Sequence, residues 1–129
     1  MELEVGMYVR YISGFHHNKS DKPIVMIGKI LRVDDYINLD TFFGGGVYPT
    51  KEFEKFIKGE PSHNIIDLIE EGDCVNGYPV YEILEYKDNT RAIVIGDDNK
   101  SIIWEESSQY IKSIVTKELF ESMSYKVGE

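Results

Sequence analysis

Three consecutive glycines, Gly44, Gly45 and Gly46, stand between an aromatic run ending in Phe42 and Phe43 and the segment Val47-Tyr48-Pro49-Thr50-Lys51. Glycine lets backbone amides turn inward, and amides at a helix start attract anions. Phe43, Gly44, Gly45, Gly46, Tyr48 and Lys51 therefore form a candidate cradle for a nucleotide-type ligand. The ring of Tyr48 or Phe43 would stack on a base, and Lys51 would meet a phosphate. The same residues also read as the loose tip of a hairpin. The helix expected here starts four residues after the last glycine, whereas a phosphate loop runs straight into its helix.

A second candidate surrounds Trp104, the single tryptophan. In the run Ser101-Ile102-Ile103-Trp104 an inward Ile103 turns Trp104 outward. Tryptophan is enriched at the centres of protein interfaces. Trp104 with Glu105, Glu106, Asp97 and Asp98 makes a candidate acidic docking surface for another protein. The alternative places Trp104 in a core between two halves of the chain.

The remaining reactive residue types are sparse. Cys74 is the only cysteine, has no basic neighbour in sequence, and reads as a small strand residue. His16 and His17 are adjacent in a polar loop, so on an extended chain they point apart and chelate poorly. His63 reads as a surface residue. The acidic pairs Asp34-Asp35, Asp97-Asp98 and Glu105-Glu106 lie at turns or strand ends, where Asp bonds backbone amides. There is no phosphate loop, dinucleotide fingerprint, zinc spacing or nucleophile elbow. No catalytic residue, metal or cofactor is expected, and the chain does not read as an enzyme.

The elements that hold these residues are mainly strands. The 129 residues suffice for one ordinary domain or two very small ones. Six runs rich in β-branched and aromatic residues (8–12, 24–33, 36–43, 78–86, 90–96 and 100–106) are separated by turn chemistry at 20–23, 33–35, 87–90 and 96–100. Short helices are expected at 50–57, with Thr50 as N-cap and Phe53, Phe56 and Ile57 on one face, and at 116–123, with Thr116 as N-cap. Ser62 or Asn64 would cap another over 65–71.

An internal repeat connects the halves. Thr50-Lys51-Glu52-Phe53 matches Thr116-Lys117-Glu118-Leu119, and Gly6 and Val9 match Gly72 and Val75, both at an offset of 66. The middle strands match at 53, with Gly28 to Asp35 over Tyr81 to Asp88, and a competing register lays 56–58 over 110–112 at an offset of 54. The boundary falls in Gly59 to Asn64, dividing the chain into 1–61 and 62–129.

Charge differs sharply between these parts. Residues 1–61 hold 8 Lys/Arg against 9 Asp/Glu, and residues 62–129 hold 6 against 14, so the net charge of −9 divides as −1 and −8. The acidic part repels nucleic-acid backbones and anionic membranes and suits a basic protein. No apolar run approaches the roughly 20 residues of a membrane span, the first residues lack the pattern of a secretory leader, and the lone cysteine fits a reducing compartment. A cytoplasmic protein is expected.

The pieces Val5, Gly6 and Val9, then Gly28-Lys29-Ile30 and Val33, resemble the opening of SH3-like barrels of the KOW kind. Gly72-Asp73, Val75, Gly77, Val80 and Ile83 have the same look. The resemblance implies a mainly β chain with little helix: two tandem small SH3-like β-barrel halves, each ending in a short helix, packed together. Residues 64–80 and 110–129 also resemble a diffuse group of small proteins encoded by phages, prophages and mobile elements of Gram-positive bacteria. The matching residues include Ile65, Ile66, Asp67, Leu68, Ile69, Gly72, Val75, Gly77, Ile111, Lys112, Ser113, Ile114, Thr116, Lys117, Glu118 and Phe120. This second resemblance implies a fold and a genomic setting and carries over no catalytic site.

Small acidic proteins of that setting often act by blocking something. The leading expectation is a phage-type accessory protein that counters a bacterial defence system. It would bind and inhibit a protein effector, as anti-CRISPR proteins do, or sequester a nucleotide signal. The alternatives are a nucleic-acid- or ribosome-associated SH3-like module, for which only Arg10, Lys29 and Arg32 offer a basic stripe, and a small enzyme of unrecognised class. An exposed strand edge could also pair two copies into a homodimer.

Overall fold

The computed structural model describes residues 2–15, 23–41, 44–96 and 101–124. The loop with His16 and His17, the residues Phe42 and Phe43, and the turn with Asp97 and Asp98 lie outside the described residues. The strands are β1 (Tyr8–Phe15), β2 (Pro23–Val33), β3 (Tyr36–Thr41), β4 (Gly44–Pro49), β5 (Ile57–Ser62), β6 (Cys74–Val75), β7 (Tyr78–Glu85), β8 (Arg91–Ile95), β9 (Ser101–Trp104) and β10 (Ile114–Val115). The helices are α1 (Thr50–Phe53) and α2 (Lys117–Ser124), with 3-10 helices at Glu54–Phe56, Ile65–Leu68 and Glu105–Tyr110. Among the described residues no helix is long and apolar enough to cross a membrane.

The fold is mainly β: two five-stranded antiparallel sheets, ordered β4-β3-β2-β1-β5 and β9-β8-β7-β6-β10. Numbered within each sheet, the order is the same: fourth, third, second, first, fifth. A 3-10 helix precedes the fifth strand in both. The local geometry repeats too. Gly6 donates to the Ile30 carbonyl (2.8 Å) while Ile30 donates to Met7 (2.8 Å). Gly72 donates to Val80 (3.2 Å) while Val80 donates to Asp73 (2.7 Å). Gly6 and Gly72 have φ of 94° and 96°, a left-handed conformation that glycine adopts without Cβ strain. The ladder breaks register after Ile30 in one sheet and after Val80 in the other.

These equivalences correct the expected alignment. The glycines match at 66, but Ile30 answers to Val80 at an offset of 50, not 53. The difference lies in the connection between first and second strands. In the second sheet it is the two-residue turn Asn76-Gly77, with φ of 53° and 85°. In the first it runs through residues 16–22. The Thr50 and Thr116 segments are not counterparts: α1 comes before a fifth strand and α2 after one. The competing offset of 54 fits instead, because Phe56 and Tyr110 each end a 3-10 helix that leads into an extended isoleucine, Ile57 or Ile111.

Two further expectations change. The glycine run is no loop: Gly44, Gly45 and Gly46 pair with Thr41, Asp40 and Leu39 as the start of β4. The helix begins one residue earlier than its expected cap implied, with Thr50 already inside it. Pro49 is the N-cap, with no side-chain bond, and the Thr50 hydroxyl instead donates to the Asp34 carbonyl (2.7 Å). Ile57 leaves the helix to pair with Tyr11 in β1, which strips the helical face down to Phe53. The cap at Thr116 forms as its position implies: its hydroxyl accepts from Leu119 N (3.1 Å) and donates to the Val25 carbonyl of β2 (2.5 Å). Asn64 caps Ile65–Leu68 by accepting from Ile66 N.

Two apolar clusters fill the interior. Val9, Tyr11, Ile30, Ile37, Leu39 and Phe53 form one. Ile65, Ile66, Leu68, Ile69, Val75, Val80, Ile93, Ile103 and their neighbours form the other, joined by Ile27 from β2. Burying one such side chain contributes on the order of 1.5–3 kcal/mol.

Candidate functional site

β8 reads Arg91-Ala92-Ile93-Val94-Ile95, and its last four residues are buried. A strand with one wet face should alternate, so both faces of this one are apolar. Register assigns the faces. Ile83, Ile93 and Ile103 lie across from one another on the core side. On the outer side run two rows, Glu82–Val94–Ile102 and Leu84–Ala92–Trp104. Tyr86 extends the second row, its ring stacked on Trp104 at 5.5 Å and 25°. Trp104 and Ile102 remain 40% and 48% exposed. The outer face of the first sheet is different. Its corresponding rows are Arg32–Asn38–Val47 and Lys29–Asp40–Gly45, which carry charged and polar groups, and the row Tyr36–Pro49 continues the face with an exposed tyrosine. Two sheets of one strand order thus differ in their outer faces: that of the second sets exposed Ile102, Trp104 and Tyr86 beside buried Val94 and Ala92, with few polar groups between them.

Its rim is acidic. Glu82 and Glu85 on β7 and Glu105 and Glu106 after β9 are all exposed. Trp104, Glu105 and Glu106 therefore stand together at one edge of the patch, while Asp97 and Asp98 lie outside the described residues. The sequence did not single out Tyr86, Leu84, Val94 or Ile102. The continuous apolar run of β8 was the signal that could have found the face.

The glycine cradle is arranged otherwise. Gly44, Gly45 and Gly46 are committed to the β3–β4 ladder. A Cβ at Gly46 would lie 2.8 Å from the Tyr48 ring, so glycine is there to let that ring fold across the strand. Tyr48 turns inward, 5.4 Å from Phe53 and 6.1 Å from Tyr11. Burial, then Tyr48, pushes the Tyr11 phenol well above its ordinary range. Lys51 is exposed beside an open depression of about 490 Å³ lined by Asp34, Asp35 and Glu52, which repels phosphate. Phe43 lies outside the described residues.

A buried ionic network joins the two sheets, and sequence gave no sign of it. Arg10 of β1, 1% exposed, donates to both carboxylate oxygens of Asp73 (2.7 and 3.0 Å), to the Leu68 carbonyl (3.1 Å) and to Glu118 of α2 (2.7 Å). Asp73, 0% exposed, also accepts from the amides of Glu70 (2.8 Å) and Lys117 (2.9 Å). Lys58 reaches Glu118 (3.3 Å) and Lys117 reaches Glu70 (2.9 Å). Three cations thus meet three carboxylates. Burial alone would lower the Arg10 pKa, but its bond to Asp73 and the charges of Asp73, Glu118 and Glu70 outweigh that and raise it. Burial likewise pushes the Glu118 carboxyl up, while its own amide, Arg10 and Lys58 bring the net result below the usual range.

The same network removes Arg10 from any basic stripe. Arg32 is paired with Asp34 at 2.8 Å, and Lys29 sits 5.9 Å from the centre of the Tyr8 ring. Cys74 is half-buried in β6, and His63 pairs with Glu4 at 2.9 Å. Among the described residues no group of His, Cys, Asp and Glu could hold a metal ion. No protein-family model, curated protein or solved structure matches the chain.

Proposed function

We propose that this chain is a phage-type accessory protein of the cytoplasm that counters a bacterial defence system by binding and inhibiting a protein effector. Its two sheets are read as tandem SH3-like halves, 1–61 and 62–129, and the docking surface is the outer face of the second. The observation that carries this reading is the stacked, partly exposed Trp104–Tyr86 pair beside exposed Ile102 on the outer face of the second sheet. A face that carries a stacked Trp–Tyr pair and has carboxylates at its rim suits a protein partner with apolar groups inside a basic border. Sequestration of a nucleotide signal is less favoured, because acidic side chains surround Lys51. The chain acts in this reading by occupying a surface, not by catalysis.

The test is phage plating on a Gram-positive host carrying single, defined defence systems. Expression of the chain should restore plating by orders of magnitude against one of them, and Trp104→Asp should abolish the effect while the protein stays folded. Full activity of Trp104→Asp, or no restoration with any system, would overturn the proposal.

A further inference from the structure

The two sheets have four edges, and three carry devices that discourage another strand from pairing. β4 opens with Gly44, Gly45 and Gly46 and ends at Pro49. β5 holds Gly59 at φ 77° and Pro61, and inserts two extra residues against β1, since Tyr8 pairs with Ser62 but Arg10 with Lys58. β10 is two residues long. Glycine, proline, bulges and brevity are the usual protections of an exposed edge. β9 has neither glycine nor proline. It reads Ser101-Ile102-Ile103-Trp104, pairs with β8 without a break in register, and among the described residues pairs with no other strand. In an antiparallel ladder alternate residues bond to the neighbour, so half of its N–H and C=O groups point away from β8.

We infer that β9 receives an extended segment of the partner protein by main-chain pairing, and that this segment is basic, with apolar residues at alternate positions. The inference rests on the binding role proposed above. An added strand would prolong the rows Glu82–Val94–Ile102 and Leu84–Ala92–Trp104, so every second side chain would lie beside Ile102 or Trp104. That period of two is the recognition pattern of strand addition. Charge selects the occupant. Glu105 and Glu106 follow β9 directly, and residues 62–129 carry 6 Lys/Arg against 14 Asp/Glu, a net of −8. Two copies meeting through this edge would bring like charge together, whereas a Lys/Arg-bearing segment would be attracted.

The probe is a capped octapeptide of alternating Lys and Val, read by the fluorescence of Trp104 and by amide exchange of residues 101–104 in the full chain. Saturable binding with slowed exchange at 101–104 is expected. N-methylation of every second peptide amide in the pairing register removes the donors and should weaken binding about tenfold or more. Replacing Lys by Glu should abolish it. Equal binding of the N-methylated peptide would overturn edge pairing while leaving the docking face intact, since only the plating phenotype of Trp104→Asp tests that face. No saturable signal at about 1 mM parent peptide would overturn the inference. So would a homodimer in sedimentation that Ile102→Lys dissolves, because the edge would then belong to a second copy.

Discussion

Replacing Asp73 by Asn keeps the shape of the side chain and removes its charge. Asp73 is fully buried and accepts four hydrogen bonds: two from Arg10, one from the Glu70 amide and one from the Lys117 amide. Asparagine has one acceptor oxygen, and its NH2 group would face donors. At least one Arg10 N–H and one backbone N–H would be left without a partner inside the protein. The guanidinium would keep only Glu118 at 2.7 Å and Glu70 at 3.6 Å as counter-charges. Breaking one side of a buried pair costs about 3–5 kcal/mol, about a fifth or more of the roughly 5–15 kcal/mol that stabilises a domain of this size. In urea, with a slope of about 1.5–2 kcal/mol/M, the midpoint should fall by about 2 M. The assay is equilibrium unfolding followed by far-UV circular dichroism and by Trp104 fluorescence together. The double replacement Arg10→Met with Asp73→Leu removes both charges and should recover the part of the loss that comes from the uncompensated guanidinium, while the Glu70 and Lys117 amides stay without their acceptor. A midpoint for Asp73→Asn within about 0.3 M of the parent at equal slope would refute the reasoning, as would a double variant whose loss is the sum of the singles.

Glu118 titrates below its usual range, so its contribution to stability is present above the unfolded-state pKa and is lost as pH falls through the folded one. The urea midpoint of the parent should drop between about pH 5 and pH 3, and Glu118→Gln should make that drop shallower. Gly72→Ala forces a residue with a Cβ to φ 96° and should cost about 1–2 kcal/mol by urea unfolding, whereas Gly45→Ala, where φ is ordinary and the Cβ would approach the Leu39 carbonyl at 3.1 Å, should cost less. Thr116→Ala removes both the cap of α2 and its bond to the Val25 carbonyl and should cost about 1–2 kcal/mol, while Thr116→Ser should keep most of it. Tyr86→Ala should shift Trp104 emission to the red by removing the ring stacked on it, with a loss of stability under about 1 kcal/mol because both rings are exposed.

Sequence alone determined what depends on neighbours along the chain. β-branched and aromatic runs specified strands, Asp88 and Asn89 a turn, Thr116 and Asn64 their caps, and Gly6 and Gly72 a repeated left-handed corner. Trp104 stood out as a residue whose exposure would matter. Tertiary structure decided what depends on partners distant in sequence. Gly44 to Gly46 became a strand because β3 offered a full set of pairs and Tyr48 folded over Gly46. Arg10 and Asp73, 63 positions apart, met because β1 packs against the 3-10 helix Ile65–Leu68, whose Leu68 carbonyl Arg10 also bonds. No local rule distinguishes such a buried arginine from an exposed one. The apolar outer face exists only once register places Leu84, Ala92 and Trp104 in one row, since a shift of one residue would turn that row into the core.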